Sequence, residues 1–382
     1  MSLPEEKSIA ILPFRSLSPN SGDAFFAEGL REDVVSRLMK VQGLKVIGRP
    51  RADSRARQAA DFVAIGRAVG ARHLLTGDLR RSGERVLLRV GLMDASDGRE
   101  IWSEKYDRQM KDAINLQGEL ASHIAAALDV RLSARVGTEV QASLTRNPDA
   151  HALYLRGRVL ENSIATEVSN YEAAATLYRQ AIALDPGFAV AHARLANVLG
   201  ILYRFRGPSA ELQIQAAREV SEALRLQPDL GEAHLAKGGN FYRIERDFER
   251  AQKELEIARD LLPNDAAPRA LLALIQRRQG RWREARAGLE EAHRLDPQVR
   301  KYLEELHATA CLLRDWPAAA QYADLALAMT PNVIRLQAQR ALVDFWQSGN
   351  LEPLRKLFTM RNPPDTGEDA IWERWDVALL SR

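Results

Sequence analysis

Cysteine is almost absent from this sequence. The single cysteine, Cys311, excludes an intramolecular disulfide framework and a metal site built from several thiolates. It lies in a stretch with helical periodicity, so we interpret it as a small core residue and not as a nucleophile. Long apolar runs are also missing, since none approaches the roughly 18 residues of a membrane-spanning helix. The start, MSLPEE, lacks the pattern of a secretion signal.

Charge of one sign is not in excess either. The 382 residues carry a net charge of +3, with 27% charged and 46% hydrophobic residues, which are ordinary values for a folded chain. We therefore expect no contact with nucleic acid, although the pI is near 9.0. A cytoplasmic location is favoured, and a periplasmic one stays open if an upstream membrane span was removed.

The motifs of common catalytic sites are missing as well. The sequence has no GxxxxGK[ST] or GxGxxG phosphate loop and no HExxH motif. None of its seven histidines forms a pair at the three- or four-residue spacing that would place two ligands on one helix face. The sequence thus predicts no catalytic residue, no metal and no cofactor.

What the sequence does contain is a repeated pattern between Ala233 and Pro331. Prolines recur 34 residues apart, with a large aromatic residue fifteen positions earlier and alanines twelve and five positions earlier. The aromatic residues are Phe248, Trp282 and Trp316, and the alanines are Ala251, Ala258, Ala285, Ala292, Ala319 and Ala326. This period and content are typical of the tetratricopeptide repeat (TPR), a pair of helices that we call helix A and helix B.

Extending the proline register predicts a TPR array over residues 148–360. Five clear repeats end at Pro186, Pro228, Pro263, Pro297 and Pro331, and a degenerate sixth follows. Extra residues in the first two repeats should lengthen the turns around Ile164–Ser169 and Gly200–Ala210. Residues 361–382 are predicted to form a C-terminal helix, which is either a cap or, as we favour, the start of a truncated further repeat. Trp282 is expected in the core, with a cost of about 3–5 kcal/mol for its replacement by alanine.

Residues 1–136 lack the period and alternate between apolar runs and helical patterns. Strands are predicted at Ser8–Phe14, Leu44–Gly48, His73–Gly77, Arg85–Met93 and Glu100–Tyr106, with a turn at residues 81–83 and a hairpin turn at residues 96–98. Helices are predicted after an N-cap at Asp23, over Ala59–Val69, which Gly70 should end, and over about Asn115–Leu132. Together they predict an α/β domain with a mixed sheet of about five strands and three helices, followed by a linker at 137–147. Gly29, inside the first helix, should mark close contact with a strand. Four arginines in residues 49–57 are interpreted as a solvated loop.

The same region carries a family resemblance. The blocks IAILPF, FFAEGLREDVVSRL, LKVIGR, GRAVGARHLLTGDLRRSGERV, LMDASDGREIWSEKYDR and LQGELASHIAAAL, in this order over residues 7–132, resemble the amino-terminal domain of TolB. The resemblance implies a bacterial signalling protein, because this domain often precedes TPRs there. The usual effector is a class III adenylate or guanylate cyclase or a winged-helix DNA-binding domain, and neither is present in this sequence.

The resemblance to TPR proteins also implies a binding surface. Helix A positions in such arrays line the concave face and contact a bound peptide. The proline register places six residues on or near it: Arg158, Asn197, Asn240, Arg243, Arg277 and Arg278. Asparagine can bond a peptide backbone and arginine can grip a carboxylate, so a protein or peptide partner with an acidic or C-terminal carboxylate segment fits best. An ordinary charged surface remains the alternative.

Three functions stay open. The favoured one is a non-catalytic protein-interaction and regulatory module of a bacterial signalling protein. The others are the regulatory C-terminal region of an adenylate or guanylate cyclase and the sensor part of a winged-helix transcription regulator. The sequence does not identify the partner or the signal, and it leaves the oligomeric state open, a dimer included.

Overall fold

The computed structural model describes residues 6–17, 21–48, 61–83, 85–109, 116–130, 132–133, 136–138, 144–162 and 168–359. The chain divides into two compact units. Unit 1 comprises Met1–Leu272 with Leu295–Gln298, and unit 2 comprises Ala273–Arg294 with Val299–Arg382. The arginine-rich stretch 49–57 and the C-terminal helix predicted at 361–382 lie outside the described residues.

Unit 1 begins with a mixed β-sheet. Its strands are β1 (Ser8–Ile11), β2 (Arg15–Ser16), β3 (Lys45–Ile47), β4 (His73–Ser82), β5 (Arg85–Asp94) and β6 (Glu100–Gln109). The strand order is β3-β1-β4-β5-β6, and β2 pairs with β4. The pairings of β1 with β3 and β4 are parallel, whereas β4, β5 and β6 form antiparallel hairpins. Gly83 and Gly98 turn these hairpins at positive φ of 57° and 77°, a conformation that glycine adopts without steric cost.

Among the described residues of this domain, three helices of eight or more residues accompany the sheet. They are α1 (Ser21–Leu38), α2 (Phe62–Val69) and α3 (Leu116–Ala127). Asp61 caps the start of α2 by accepting a hydrogen bond from the Ala64 backbone N–H, and Gly70 ends it in the left-handed conformation, as predicted. Asp23 is not the N-cap of α1, because that helix starts at Ser21 and places Asp23 in its first turn. Apolar side chains of α1 and α3 share one buried cluster with the sheet.

Helix pairs make up the rest of the described chain. In chain order they are α4 (Pro148–Glu161) and α5 (Val168–Leu184), α6 (Ala189–Arg206) and α7 (Ala210–Leu226), α8 (Gly231–Asn240) and α9 (Phe248–Leu261), α10 (Ala266–Arg278) and α11 (Trp282–Leu295), α12 (Arg300–Leu312) and α13 (Trp316–Met329), and α14 (Ile334–Ser348) and α15 (Glu352–Thr359). A five-residue π-helical segment, Phe241–Glu245, continues α8. This confirms the predicted fold class, an α/β domain with an all-α TPR array.

The repeated small residues lie where the period places them. The six alanines of helices α9, α11 and α13 named above are at most 1% exposed, so each lets the B helix approach its neighbours closely. Three of the described B helices also begin at a side-chain cap: Ser209, Asp247 and Asp315 each accept a backbone N–H of the first turn. The repeated sequence pattern therefore indicates both which residues pack between these helices and where the helices end.

Two expectations about the repeats are wrong. Trp282 is 38% exposed, because it is the first residue of α11 and lies one turn before the buried stripe of Ala285 and Leu289. The extra residues of the second repeat do not simply lengthen its turn. They extend helix α6 to 18 residues, and only Gly207–Ser209 separates it from α7.

Candidate binding face on the A helices

Helix α1 of the α/β domain packs against the first A helix, α4. Gly29 lies at the crossing, and a Cβ added there would come within 2.6 Å of the Leu155 Cβ atom. The sequence correctly marks a close approach at Gly29, but the partner is a helix of the first repeat and not a strand. Both elements belong to unit 1.

A buried ion pair joins the two helices beside this crossing. Arg158 of α4 donates through Nη2 to Glu32 Oε2 at 3.4 Å and through Nη1 to Ser36 Oγ at 2.9 Å. Asn162 donates to the same Glu32 oxygen at 2.6 Å. Glu32 also pairs with Arg31, its neighbour on α1. Burial alone would lower the pKa of Arg158. The nearby Tyr154 and Glu32 outweigh this effect and raise the pKa of Arg158 well above its usual value.

A second buried pair involves a histidine. His151 Nε2 lies 3.4 Å from Asp33 Oδ2 and 3.0 Å from Gln117 Nε2, so it links α4 to both α1 and α3. Arg37 adds a positive charge 3.9 Å from Asp33. Burial alone would raise the pKa of Asp33, but the His151 hydrogen bond and the neighbouring positive charges lower it to about 2. Asp33 is therefore ionised at neutral pH, although it is almost completely buried.

The contact continues to the third repeat. Lys40, just after α1, lies 3.4 Å from Glu232 at the start of α8. Asn264 donates to the Val41 carbonyl oxygen through its side chain at 2.8 Å and to the Met39 carbonyl oxygen through its backbone N–H at 3.1 Å. The α/β domain is thus held by polar side chains of the repeats at several points.

This arrangement corrects the interpretation of Arg158. The residue is 5% exposed and its guanidinium is engaged with Glu32 and Ser36. The described contacts of its guanidinium with another helix are with α1 of the same chain. Arg158 is not available to a partner in this arrangement.

The next A helix, α6, presents a half-buried asparagine. Asn197 donates to Glu161 Oε1 at 3.0 Å. Glu161 also accepts from the Tyr178 hydroxyl at 2.7 Å and lies 3.8 Å from Arg194, so its charge is already compensated. Asn197 keeps its amide oxygen directed to Arg243, which donates to it over a long 3.4 Å contact.

Asn240 and Arg243 lie on the third A helix and its π-helical extension. Asn240 is 7% exposed and donates to the Ala196 carbonyl oxygen at 3.4 Å, while its own amide oxygen is buried without a hydrogen-bond partner among the described residues. Arg243 is half-buried and forms no ion pair with any described residue. Desolvation, together with the charge of nearby Arg204, lowers the pKa of Arg243 to about 10.

Unit 2 contains the two remaining predicted residues. Arg277 donates through Nη2 to Glu305 Oε2 at 2.6 Å and through Nη1 to Thr309 Oγ1 at 3.3 Å, so its charge is balanced inside the array. Arg278 is exposed and has no ion pair with the described residues. Of the two, Arg278 is the one open to solvent.

Three site residues escape the sequence reasoning. Glu161 accepts from Asn197, Arg194 lies 3.8 Å from Glu161, and the charge of Arg204 helps to lower the pKa of Arg243. Arg204 lies in the inserted stretch Gly200–Ala210, where the 34-residue register assigns no repeat positions. Its place in this insertion is the signal that could have pointed to it. Glu161 closes α4, and nothing in its spacing distinguishes it from a solvent-exposed glutamate.

Other chemistry finds little support in the part of the chain that the structure describes. No group of three or more histidine, cysteine, aspartate or glutamate side chains is arranged there to hold a metal. Burial raises the pKa of the Cys311 thiol to about 11, which disfavours the reactive thiolate. No helix of the described chain is both long and apolar enough to cross a membrane.

Parts of the chain are similar to known proteins. Residues 5–123 match the family model of the second domain of HilA/YgeH-like transcriptional regulators. The resemblance to the TolB amino-terminal domain is therefore not confirmed. A protein named putative adenylate cyclase 3, from Rhizobium meliloti (strain 1021), is 32% identical over 226 residues, which cover 58% of this chain and 38% of that protein. The chain thus spans well under half the length of this relative.

Solved structures are similar at low sequence identity. The chain resembles pilF of Pseudomonas aeruginosa, with 19% identity, a TM-score of 0.44 and coverage of 60% of this chain and 97% of the other. It also resembles a thermophilic TPR protein of Thermus thermophilus, with 19% identity, a TM-score of 0.42 and coverage of 51% and 98%.

Proposed function

We propose that this chain is the non-catalytic regulatory and interaction part of a bacterial signalling protein. Its α/β domain is fixed to the first repeats, and the A helices of the following repeats bind an acidic segment of a partner protein. Because α1 is held to the first repeats within unit 1, a change sensed by the α/β domain would reach those repeats directly.

The observation that carries this proposal is the docking of α1 on the repeats. Side chains of α4, the first A helix, bind α1 of the α/β domain through the pairs Arg158–Glu32 and His151–Asp33. Farther along the chain, Arg243 in unit 1 and Arg278 in unit 2 form no ion pair with any described carboxylate. The contacts of the first repeat therefore support binding of an acidic segment by later repeats.

Two further functions concern the full-length protein. Similarity to the Rhizobium meliloti protein favours the regulatory region of an adenylate or guanylate cyclase whose catalytic domain lies outside this sequence. The match of residues 5–123 to a transcriptional regulator domain favours the sensor part of a DNA-binding regulator instead. The complete reading frame would distinguish them by the effector it encodes, and both are compatible with a partner-binding array.

Binding can be tested with fluorescein-labelled twelve-residue peptides in which alternate residues are glutamate or, in the matched control, glutamine. We expect the glutamate peptide to bind more tightly, and Arg278→Ala to weaken it roughly tenfold through the loss of one charge-assisted hydrogen bond. Arg259→Ala is the control variant, because this arginine lies on a B helix beside Asp260. Fluorescence anisotropy measures the affinities.

Equal affinity of the two peptides, or of the two variants, would contradict binding of an acidic segment. The non-catalytic assignment has its own test, in which the purified chain is incubated with ATP or GTP and Mg²⁺. Cyclic nucleotide formation that persists through repurification would contradict it.

A further inference from the structure

Arg243 is unusual among the arginines of this protein in its electrostatic surroundings. Most arginines that the structure describes pair with a carboxylate, whereas the only hydrogen bond of Arg243 within that part of the chain is the 3.4 Å contact with the Asn197 amide oxygen. Arg204 lies one helical turn after Gly200 on α6, the residue of that helix that faces Asn240 and Arg243. Glu161, the described carboxylate whose charge acts on Arg243, is already bonded to Asn197 and Tyr178. A partly desolvated guanidinium beside a second guanidinium is unfavourable until an anion joins them.

Two glycines make the space in which these groups lie. A Cβ added at Gly200 of α6 would overlap the Asn240 amide oxygen and come within 3.8 Å of Arg243 Nη1, and one added at Gly239 would overlap Arg243 Nη1. Because neither glycine has a side chain, a space remains between the two A helices, and the Arg243 guanidinium lies in it. We call this space the cradle. The cradle lies where α8 changes to a π-helical turn, Phe241–Glu245, a distortion frequently found at functional sites.

We propose that Arg204 and Arg243 form a carboxylate subsite that binds a glutamate or aspartate side chain of the partner segment. Arg243 supplies donors from the cradle, and exposed Arg204 closes over the carboxylate from the solvent side. This subsite rests on the function proposed above, since it gives one acidic residue of the partner a defined position.

A carboxylate fits this pair for reasons of charge and neighbours. A singly charged carboxylate accepts from two guanidinium groups at once and leaves the donors of Asn197 and Asn240 in their present bonds.

The test uses isothermal titration calorimetry of the whole chain at low ionic strength with acetyl-Glu-Glu-Glu-amide. Acetyl-Gln-Gln-Gln-amide and inorganic phosphate are the comparison ligands. We expect the glutamate peptide alone to bind well, and Arg243→Gln and Arg204→Gln each to weaken it about tenfold. Arg206→Gln is the matched control, because Arg206 is a near neighbour already paired with Glu172. Arg204 is exposed, so its variant should fold even if the Arg243 variant does not.

Equal binding of the glutamate peptide to the wild type and to both variants would overturn the subsite. So would the absence of binding to the wild type, or tighter binding of phosphate than of the peptide. If the twelve-residue acidic peptide still binds in an Arg278-dependent way, the subsite fails while the proposed function stands. If that peptide also fails, both are overturned.

Discussion

Arg158 and Arg243 were predicted from the same kind of helix position, yet their surroundings are opposite. Arg158 is buried against Glu32 of α1, and its pKa is raised; Arg243 faces Arg204 without a carboxylate of the described chain, and its pKa falls to about 10. The difference is that α1 covers the first A helix but supplies no carboxylate to the π-helical extension of the third. Arg158 is therefore neutralised within the chain, whereas Arg243 has no carboxylate partner among the described residues, and the proposed carboxylate subsite depends on this difference.

Replacing Glu32 by glutamine should have the largest effect, because it turns Arg158 into an arginine without its buried counter-charge. Removing one partner of a buried ion pair typically costs about 3–5 kcal/mol in the free energy of unfolding. Urea denaturation followed by circular dichroism measures this change. Glu172→Gln, which breaks the exposed pair with Arg206, should leave the stability unchanged within error.

The double variant Glu32→Gln/Arg158→Met sharpens the same experiment. Since it removes both charges, it should recover part of the stability lost in the single variant. A single variant as stable as the wild type would show that α1 is not held to the repeats by this pair.

The origin of this contact explains what the sequence could predict and what it could not. Local patterns identify the hairpin turns, the Gly70 cap and the helix pairs, because each depends on neighbours within about one period of the chain. Arg31, Glu32 and Asp33 are three consecutive charged residues, as is typical of an exposed part of a helix. All three are nevertheless at most 3% exposed. The partners that Glu32 and Asp33 find on α4 lie more than a hundred residues away, and no spacing rule connects positions so distant.

The same limit applies to the candidate site. The register located Asn197, Arg243 and Arg278 on the A helices, but it could not show that Arg277 is neutralised by Glu305. It also assigns no repeat position to Arg204, because this residue lies in an insertion. Side-chain identity is visible in a sequence, whereas the charge balance around it depends on how helices are placed.

The Asp33–His151 pair allows the covered region to be tested by pH. The folded-state pKa of Asp33, about 2, lies below its ordinary value of 3.8. Its ionised form therefore stabilises the fold above pH 4, and this contribution is lost as the pH falls toward 2 because the unfolded chain binds the proton first. The expected contribution is about 2 kcal/mol.

Urea midpoints of the wild type and of Asp33→Asn, measured from about pH 5 down to about pH 2.5, would show this contribution. The difference between the two proteins should shrink as the pH falls. Asp260→Asn, at an exposed aspartate, serves as the control and should give the same pH profile as the wild type. A constant difference across this range would mean that the Asp33 carboxylate is not stabilised by His151 and its neighbours.

The smallest expected effect concerns another pair of positions that the register makes equivalent. Tyr171 and Trp282 each lie fifteen residues before the proline that ends their repeat, but Tyr171 is 9% exposed and stacks on Phe205, whereas Trp282 is 38% exposed. Because much of its ring already contacts water, Trp282→Ala should lower the free energy of unfolding by only about 1 kcal/mol. Tyr171→Ala should cost clearly more in the same urea titration. Equal losses would show that burial at this position is set by the repeat pattern and not by the neighbouring helices.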